Sequence, residues 1–329
     1  MNKLVLLGIL WLMSVASYSA DLGYRITQQI SLGSAKHWDY AAIDNVRKRL
    51  FVTLGDHVEV VNIATGKRVA TIADTKGAHG VAFAQDLKLG FISNGHSSTV
   101  TVFDLDTLQV KTEIKVPGNN PDAIMYEQSV HKVYVFNGDS ENDNKNVEVI
   151  DAKSLTVVAS IKASGSPEFA VSGSNGKIYF NIEEQQPAIN VIDVATNKVI
   201  KTWPFTGCKG PTGLAIDTKN MRLFSSCRNG IVAVTDARTG KRITQFAIGK
   251  YPDAVIYDPI NHLVFVSAGE GNGILTIAHQ TSADHYTVMQ NLETKTRART
   301  MAMSKNSKAI YLPTAVNGNA MVVVASPSH

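Results

Sequence analysis

From residue 24 onward the chain runs in short stretches of alternating apolar and polar side chains, and helical spacing of apolar positions is absent. The stretches are rich in β-branched and aromatic residues and are bounded by polar turns, a composition that suits half-buried pleated sheet. One stretch recurs as a strand that ends in Asp or Asn before a short polar turn. It appears as Val58-Glu59-Val60-Val61-Asn62, Val100-Thr101-Val102-Phe103-Asp104, Val147-Glu148-Val149-Ile150-Asp151 and Ile189-Asn190-Val191-Ile192-Asp193, and again over residues 231–236. The closing Asn62, Asp104, Asp151, Asp193 and Asp236 are spaced by 42, 47, 42 and 43 residues. A period of that size filled only with short strands predicts propeller blades of four antiparallel strands each.

Within each period the same order repeats. Strand a is apolar or Ala-rich, as in Ala123-Ile124-Met125-Tyr126, and strand b is aromatic and β-branched, as in Leu263-Val264-Phe265-Val266. Strand c carries the Asp or Asn mark, and strand d follows the turn, as in Val69-Ala70-Thr71-Ile72. The c-to-d turns Thr65-Gly66-Lys67, Thr196-Asn197-Lys198 and Thr239-Gly240-Lys241 put Gly or Asn where a short hairpin needs positive φ. The marked aspartates are expected to accept turn N–H bonds and to be structural rather than catalytic.

Counting strand a gives seven blades, starting near Tyr40, Val81, Ala123, Phe169, Gly213, Ala254 and Thr300. The seventh has a strand a (residues 300–303), b (309–312) and c (321–325) but no d before the chain stops. An orphan strand, Tyr24-Arg25-Ile26-Thr27-Gln28-Gln29-Ile30, precedes blade one. It is predicted to close the ring as the outer strand of blade seven, which leaves no open sheet edge there.

The b strands carry variants of a Tyr-Val-Thr-Asn signature: Phe51-Val52-Thr53, Phe91-Ile92-Ser93-Asn94, Tyr134-Val135-Phe136-Asn137 and Tyr179-Phe180-Asn181. With Trp38-Asp39-Tyr40, Pro121-Asp122-Ala123, Pro167-Glu168-Phe169-Ala170 and Gly210-Pro211-Thr212-Gly213, the chain resembles the YncE-like YVTN-repeat propellers over essentially its whole length after the N-terminal segment. The resemblance implies a seven-bladed, export-directed all-β propeller in a family whose members mostly lack an assigned reaction. Blade six departs from the signature with Ser267-Ala268-Gly269, and blade three has an extended polar loop over residues 138–146.

Lys3, an apolar stretch over residues 4–15 and the small residues Ala16, Ser17, Ser19 and Ala20 read as a secretory signal peptide cut after Ser19. Residues 20–329 are then expected to form one propeller domain, periplasmic or extracellular, with no membrane span in the mature chain. The formal net charge is +4 over 329 residues, too mild by itself to commit the protein to nucleic acid or an acidic membrane. Cys208 and Cys227, both expected at the top of blade five, suggest a disulfide in an exported chain.

The candidate chemistry comes from aligning the seven repeats at the start of strand a. One residue per blade then falls at the mouth of the central channel: Asp39, His79, Asp122, Glu168, Thr212, Asp253 and Arg299. Arg299 is expected to sit between Asp253 and Asp39, with His79 on the far side of Asp39. Asp122 and Glu168 are left without a cationic ring neighbour, so a divalent cation shared between them is one expectation. Without a cation, their proximity should raise one of their pKa values.

Loops of the same face add Asp139, Glu141, Asp143, Glu183, Glu184 and Glu270 against Arg228, so cations are expected to prefer this top face. The opposite face collects Arg47-Lys48-Arg49, Lys67-Arg68, Lys153, Lys198, Lys219, Lys241-Arg242 and Lys305. An anionic polymer or lipid is the partner such a bottom face would take.

Gly269-Glu270-Gly271-Asn272-Gly273 joins two strands and is a hairpin rather than a phosphate loop. Asp139-Ser140-Glu141-Asn142-Asp143 lacks the Gly and the final Glu of a calcium loop. No G-x-S-x-G, H-E-x-x-H or C-x-x-C is present, which excludes the common nucleophilic and zinc motifs. The favoured reading is a non-enzymatic propeller that binds a small ligand, cation or partner protein at its top. The alternatives are a metal-dependent hydrolase similar to propeller lactonases, and nucleic-acid binding through the basic bottom.

Overall fold

A computed structural model describes residues 23–35, 37–138, 145–184 and 186–328. The predicted signal peptide and the loop residues Asp139, Glu141 and Asp143 lie outside the described residues. The chain forms seven four-stranded antiparallel sheets in a ring. Blade one is typical, with strands Ala41–Asp44, Arg49–Thr53, Val58–Asn62 and Arg68–Ile72 paired in chain order. First strands of adjacent blades pack side by side, so they line the axis. The two described helical segments are 3₁₀ turns of three residues, Gln85–Leu87 and Gln128–Val130, both in a-to-b connections.

The ring closes as the orphan strand predicts. Tyr24–Ser34 runs antiparallel to Asn319–Pro327, from Tyr24 opposite Pro327 to Ser34 opposite Asn319. Tyr24 also binds the neighbouring blade, its backbone N–H donating to Gln290 Oε1 at 2.8 Å. Strand a of blade seven is shorter than expected, Ala302–Met303.

Burial follows the alternation. The strand-b aromatics Phe51, Phe91, Tyr134, Tyr179, Phe224 and Phe265 are fully buried between blades. The marked aspartates do what short hairpins need: Asp104 Oδ1 accepts from the N–H groups of Asp106 and Thr107, each at 2.9 Å. Asp193 and Asp236 repeat the arrangement.

Two devices fix where each blade begins. In five blades the a-to-b ladder pairs once, slips, and resumes after skipping one or two residues of strand a. The slipped stretch starts with His79, Asp122, Glu168, Thr212 or Asp253. A β-bulge turns a side chain out of the regular pleat, and here it turns the ring position away from the sheet. Proline opens the strand in four of these blades, at Pro121, Pro167, Pro211 and Pro252, where a missing N–H costs the ladder little.

The second device is the third residue of the b-strand signature, which donates to the backbone carbonyl of the ring residue on the next blade. Thr53 Oγ1 reaches His79 O at 2.9 Å, Ser93 Oγ reaches Asp122 O at 2.5 Å, and Asn181 Nδ2 reaches Thr212 O at 2.9 Å. Ser267 Oγ donates likewise to Arg299 O. The repeat motif thus sets the position of the residues at the mouth.

Candidate functional site

Five of the ring side chains form one continuous charged chain over blades six, seven, one, two and three. Arg299 Nε lies 2.9 Å from Asp253 Oδ2, and its Nη2 lies 3.5 Å from Asp39 Oδ1. His79 Nδ1 lies 2.5 Å from Asp39 Oδ2 and 3.7 Å from Asp122 Oδ1. Sequence alone left Asp122 without a cation; the imidazole between the two aspartates supplies it. Glu168 turns instead to Glu183, with which it shares a hydrogen bond, and Glu183 is held by Arg228 at 2.6 Å. Thr212 is buried and contributes a fastening, its hydroxyl donating to Pro252 O at 2.8 Å.

A grouping of three stands beside the expected Asp122 and Glu168 pair. Among the described residues, the group whose potential ligand atoms all lie within 4.8 Å of one another is Asp39, His79 and Asp122. The second oxygen of that arrangement is open, because Asp122 Oδ1 is buried with no hydrogen-bond partner.

Crowding of buried charge shapes the titration. Burial pushes the Asp122 carboxyl well above the usual carboxylate range; the His79 charge opposes this, and Asp39 and Asp253 reinforce it. Burial likewise raises Asp253, to about 6, against the pull of Arg299. Glu168 is raised well above its ordinary value by burial and then by the charges of Asp122 and Glu183. Burial alone would lower His79, but its hydrogen bond to Asp39 and the charges of Asp122 and Asp39 together raise it to about 9. Near neutral pH the imidazole thus carries a positive charge, while Asp122 and Glu168 give up their protons at higher pH than ordinary carboxyls. The acidity of the ring is much weaker than the residue types suggest.

Tyr40 was not singled out by the sequence. It is buried directly behind Asp39, and its phenol is raised by burial and by Asp122, Glu168, Asp253 and Asp39. Its ring meets that of Phe169, from blade four, at 5.6 Å between centroids. The equivalent positions in blades two, three, five and six are Gly80, Ala123, Gly213 and Ala254. Two aromatic rings among small residues are the signal that marked this contact in the sequence.

Beside the charged chain lies a cavity of about 950 Å³, bounded by the loops of blades one and two and the closing strand. Asp39, His79 and Arg299 belong both to the ring and to its wall. The wall further includes Trp38, Lys76 and three more histidines, His37, His57 and His96. Four of the nine histidines in the chain therefore line one cavity. Arg297 lies over the Trp38 ring, 4.1 Å from its centroid.

The opposite face is less freely cationic than its sequence suggests. Arg47 is held by Asp44 at 3.0 Å and Asp106 at 2.6 Å, Arg222 by Asp236 and Asp284 at 2.7 Å each, and Lys308 by Asp258 at 2.8 Å. On the top face Cys208 and Cys227 form the expected disulfide, buried beneath the loops of blade five.

No protein-family model matches this sequence, and no curated protein matches it. Solved structures match in shape. The chain is similar to Kuenenia stuttgartiensis hydrazine synthase, with 16% identity over 89% of this chain and 95% of that one, at a TM-score of 0.76. It is similar to a chain of the mitotic checkpoint complex, with 12% identity over 98% of each chain and a TM-score of 0.77. It is also similar to the WD40 repeats of RRP9, with 10% identity over 93% of this chain and 97% of that one, at 0.75. These likenesses establish the seven-bladed propeller. Function has to be argued from the site.

Proposed function

We propose that this chain is an exported, non-enzymatic binding protein of the YncE-like YVTN-repeat type. Its small ligand enters the top-face cavity and is held at its base by Asp39, His79 and Arg299. One observation carries the reading: the cavity opens onto three of the ring residues, Asp39, His79 and Arg299. Its volume falls within the roughly 300 to 1,000 Å³ typical of small-molecule sites. The N-terminal residues 1–19 support export, and the YVTN-like b strands support the family. A thermal-shift screen of small metabolites, followed by titration into His79→Ala and Arg299→Ala, tests it. Hits whose affinity survives both substitutions would place binding elsewhere.

A divalent cation at Asp39, His79 and Asp122 is the second reading, favoured by their 4.8 Å grouping. One imidazole and two carboxylates suit zinc or manganese and leave positions open toward the cavity. The lactonase-like alternative depends on such an ion, which would polarise a carbonyl. Metal analysis of the native protein and of Asp122→Asn separates this reading from metal-free binding.

A further inference from the structure

The charge balance of the cavity identifies the kind of ligand that belongs there, and this step rests on the binding role proposed above. Its two carboxylates are already answered within the wall. Asp39 gives one oxygen to His79 and faces Arg299 with the other, and Asp56 takes His57 Nδ1 at 2.6 Å. The donors are not answered. Among the described residues, the side chains of Lys76, His37 and His96 take part in no hydrogen bond or ion pair, although all three line the cavity. Trp38, only 6% exposed, has an indole N–H with no acceptor. Lys76, His37 and His96 are exposed and free to turn to a ligand, whereas the buried Trp38 N–H without a partner costs on the order of 1 to 3 kcal/mol, which an acceptor reaching it would recover.

We propose that the cavity binds a small organic anion, with its carboxylate or phosphate oxygens received by Lys76, His96, His37 and the Trp38 N–H. A cationic ligand finds both carboxylates occupied and faces Lys76 and Arg299 as like charges. A neutral ligand leaves the cationic rim uncompensated. The expectation that the top face prefers cations followed from counting loop acids, and it does not extend to this cavity. Glu183 and Glu270, on the far side of the same face, are paired with Arg228 and Lys250.

The test is calorimetric titration of the full chain with citrate and phenyl phosphate, against choline and glucose. The anions are expected to bind and the other two not. The double variant Lys76→Gln/His96→Gln should weaken anion binding at least tenfold, while Lys198→Gln on the opposite face should leave it unchanged. Choline or glucose binding that is lost in His79→Ala, with no anion binding, would overturn this inference while preserving the binding role. Anion affinity unchanged in the double variant, or lost in Lys198→Gln, would overturn it by placing the anions elsewhere. No binding by any of the four probes would also overturn it, and the screen described above then decides separately whether the cavity is a site at all.

Discussion

The His79 imidazole bridges two blades that are not its own, 2.5 Å from Asp39 on blade one and 3.7 Å from Asp122 on blade three. A single side chain therefore ties three consecutive repeats together at the axis, through charge rather than through apolar packing.

That tie should be visible as pH-dependent stability. The His79 pKa is raised to about 9 in the folded protein, against about 6.5 for an unfolded histidine. Its contribution is then fully present below about pH 6.5 and is lost as pH rises through about 9. Chemical denaturation in the presence of EDTA should show a decline on the order of 2 to 3 kcal/mol across that window. His79→Gln should flatten it; an unchanged slope in the variant would assign the decline to another group.

Glu168 gives the same direction of pH dependence for a different reason. Its raised pKa means that the folded state binds the proton more tightly than the unfolded chain, so ionising Glu168 at higher pH costs stability. Glu168→Gln should be close to neutral at pH 5 and stabilising by about 1 kcal/mol at pH 8. Thermal melts at the two pH values measure the difference. Destabilisation at pH 8 would show that the carboxylate is compensated by something beyond Glu183 and Arg228.

Ser93→Ala removes the donor that holds Asp122 O and leaves a buried carbonyl short of its partner. A loss of about 1 to 3 kcal/mol is expected. Because the same bond places Asp122 at the mouth, ligand affinity should fall as well. Thr101→Ala, an equally buried hydroxyl farther out on the same blade, is the control that should leave affinity unchanged.

Cys208 and Cys227 close a loop of 19 residues in sequence separation. Replacing both with Ser should lower stability by on the order of 3 kcal/mol. Denaturant unfolding with and without reductant checks this, and the reductant should have no effect on the double variant.

The repeat period, blade count, ring closure and disulfide were all legible because each rests on local patterning or on registry along the chain. Val58 to Asn62 announces its own strand, and Tyr24 finds its partner because blade seven lacks one. The site was legible only as a set of equivalent positions. Which neighbour each side chain chooses depends on rotamers and on loops from other blades, so the turn of Glu168 toward Glu183 and the place of His79 beside Asp122 were not visible. The histidine-lined cavity was hidden for the same reason. His37, His57, His79 and His96 occupy different loops and share no common place in the repeat.

The contact between Tyr40 and Phe169 spans the axis just below the charged residues. It packs two repeats that share no strand pairing against each other, so shrinking either ring would loosen opposite sides of the propeller at once.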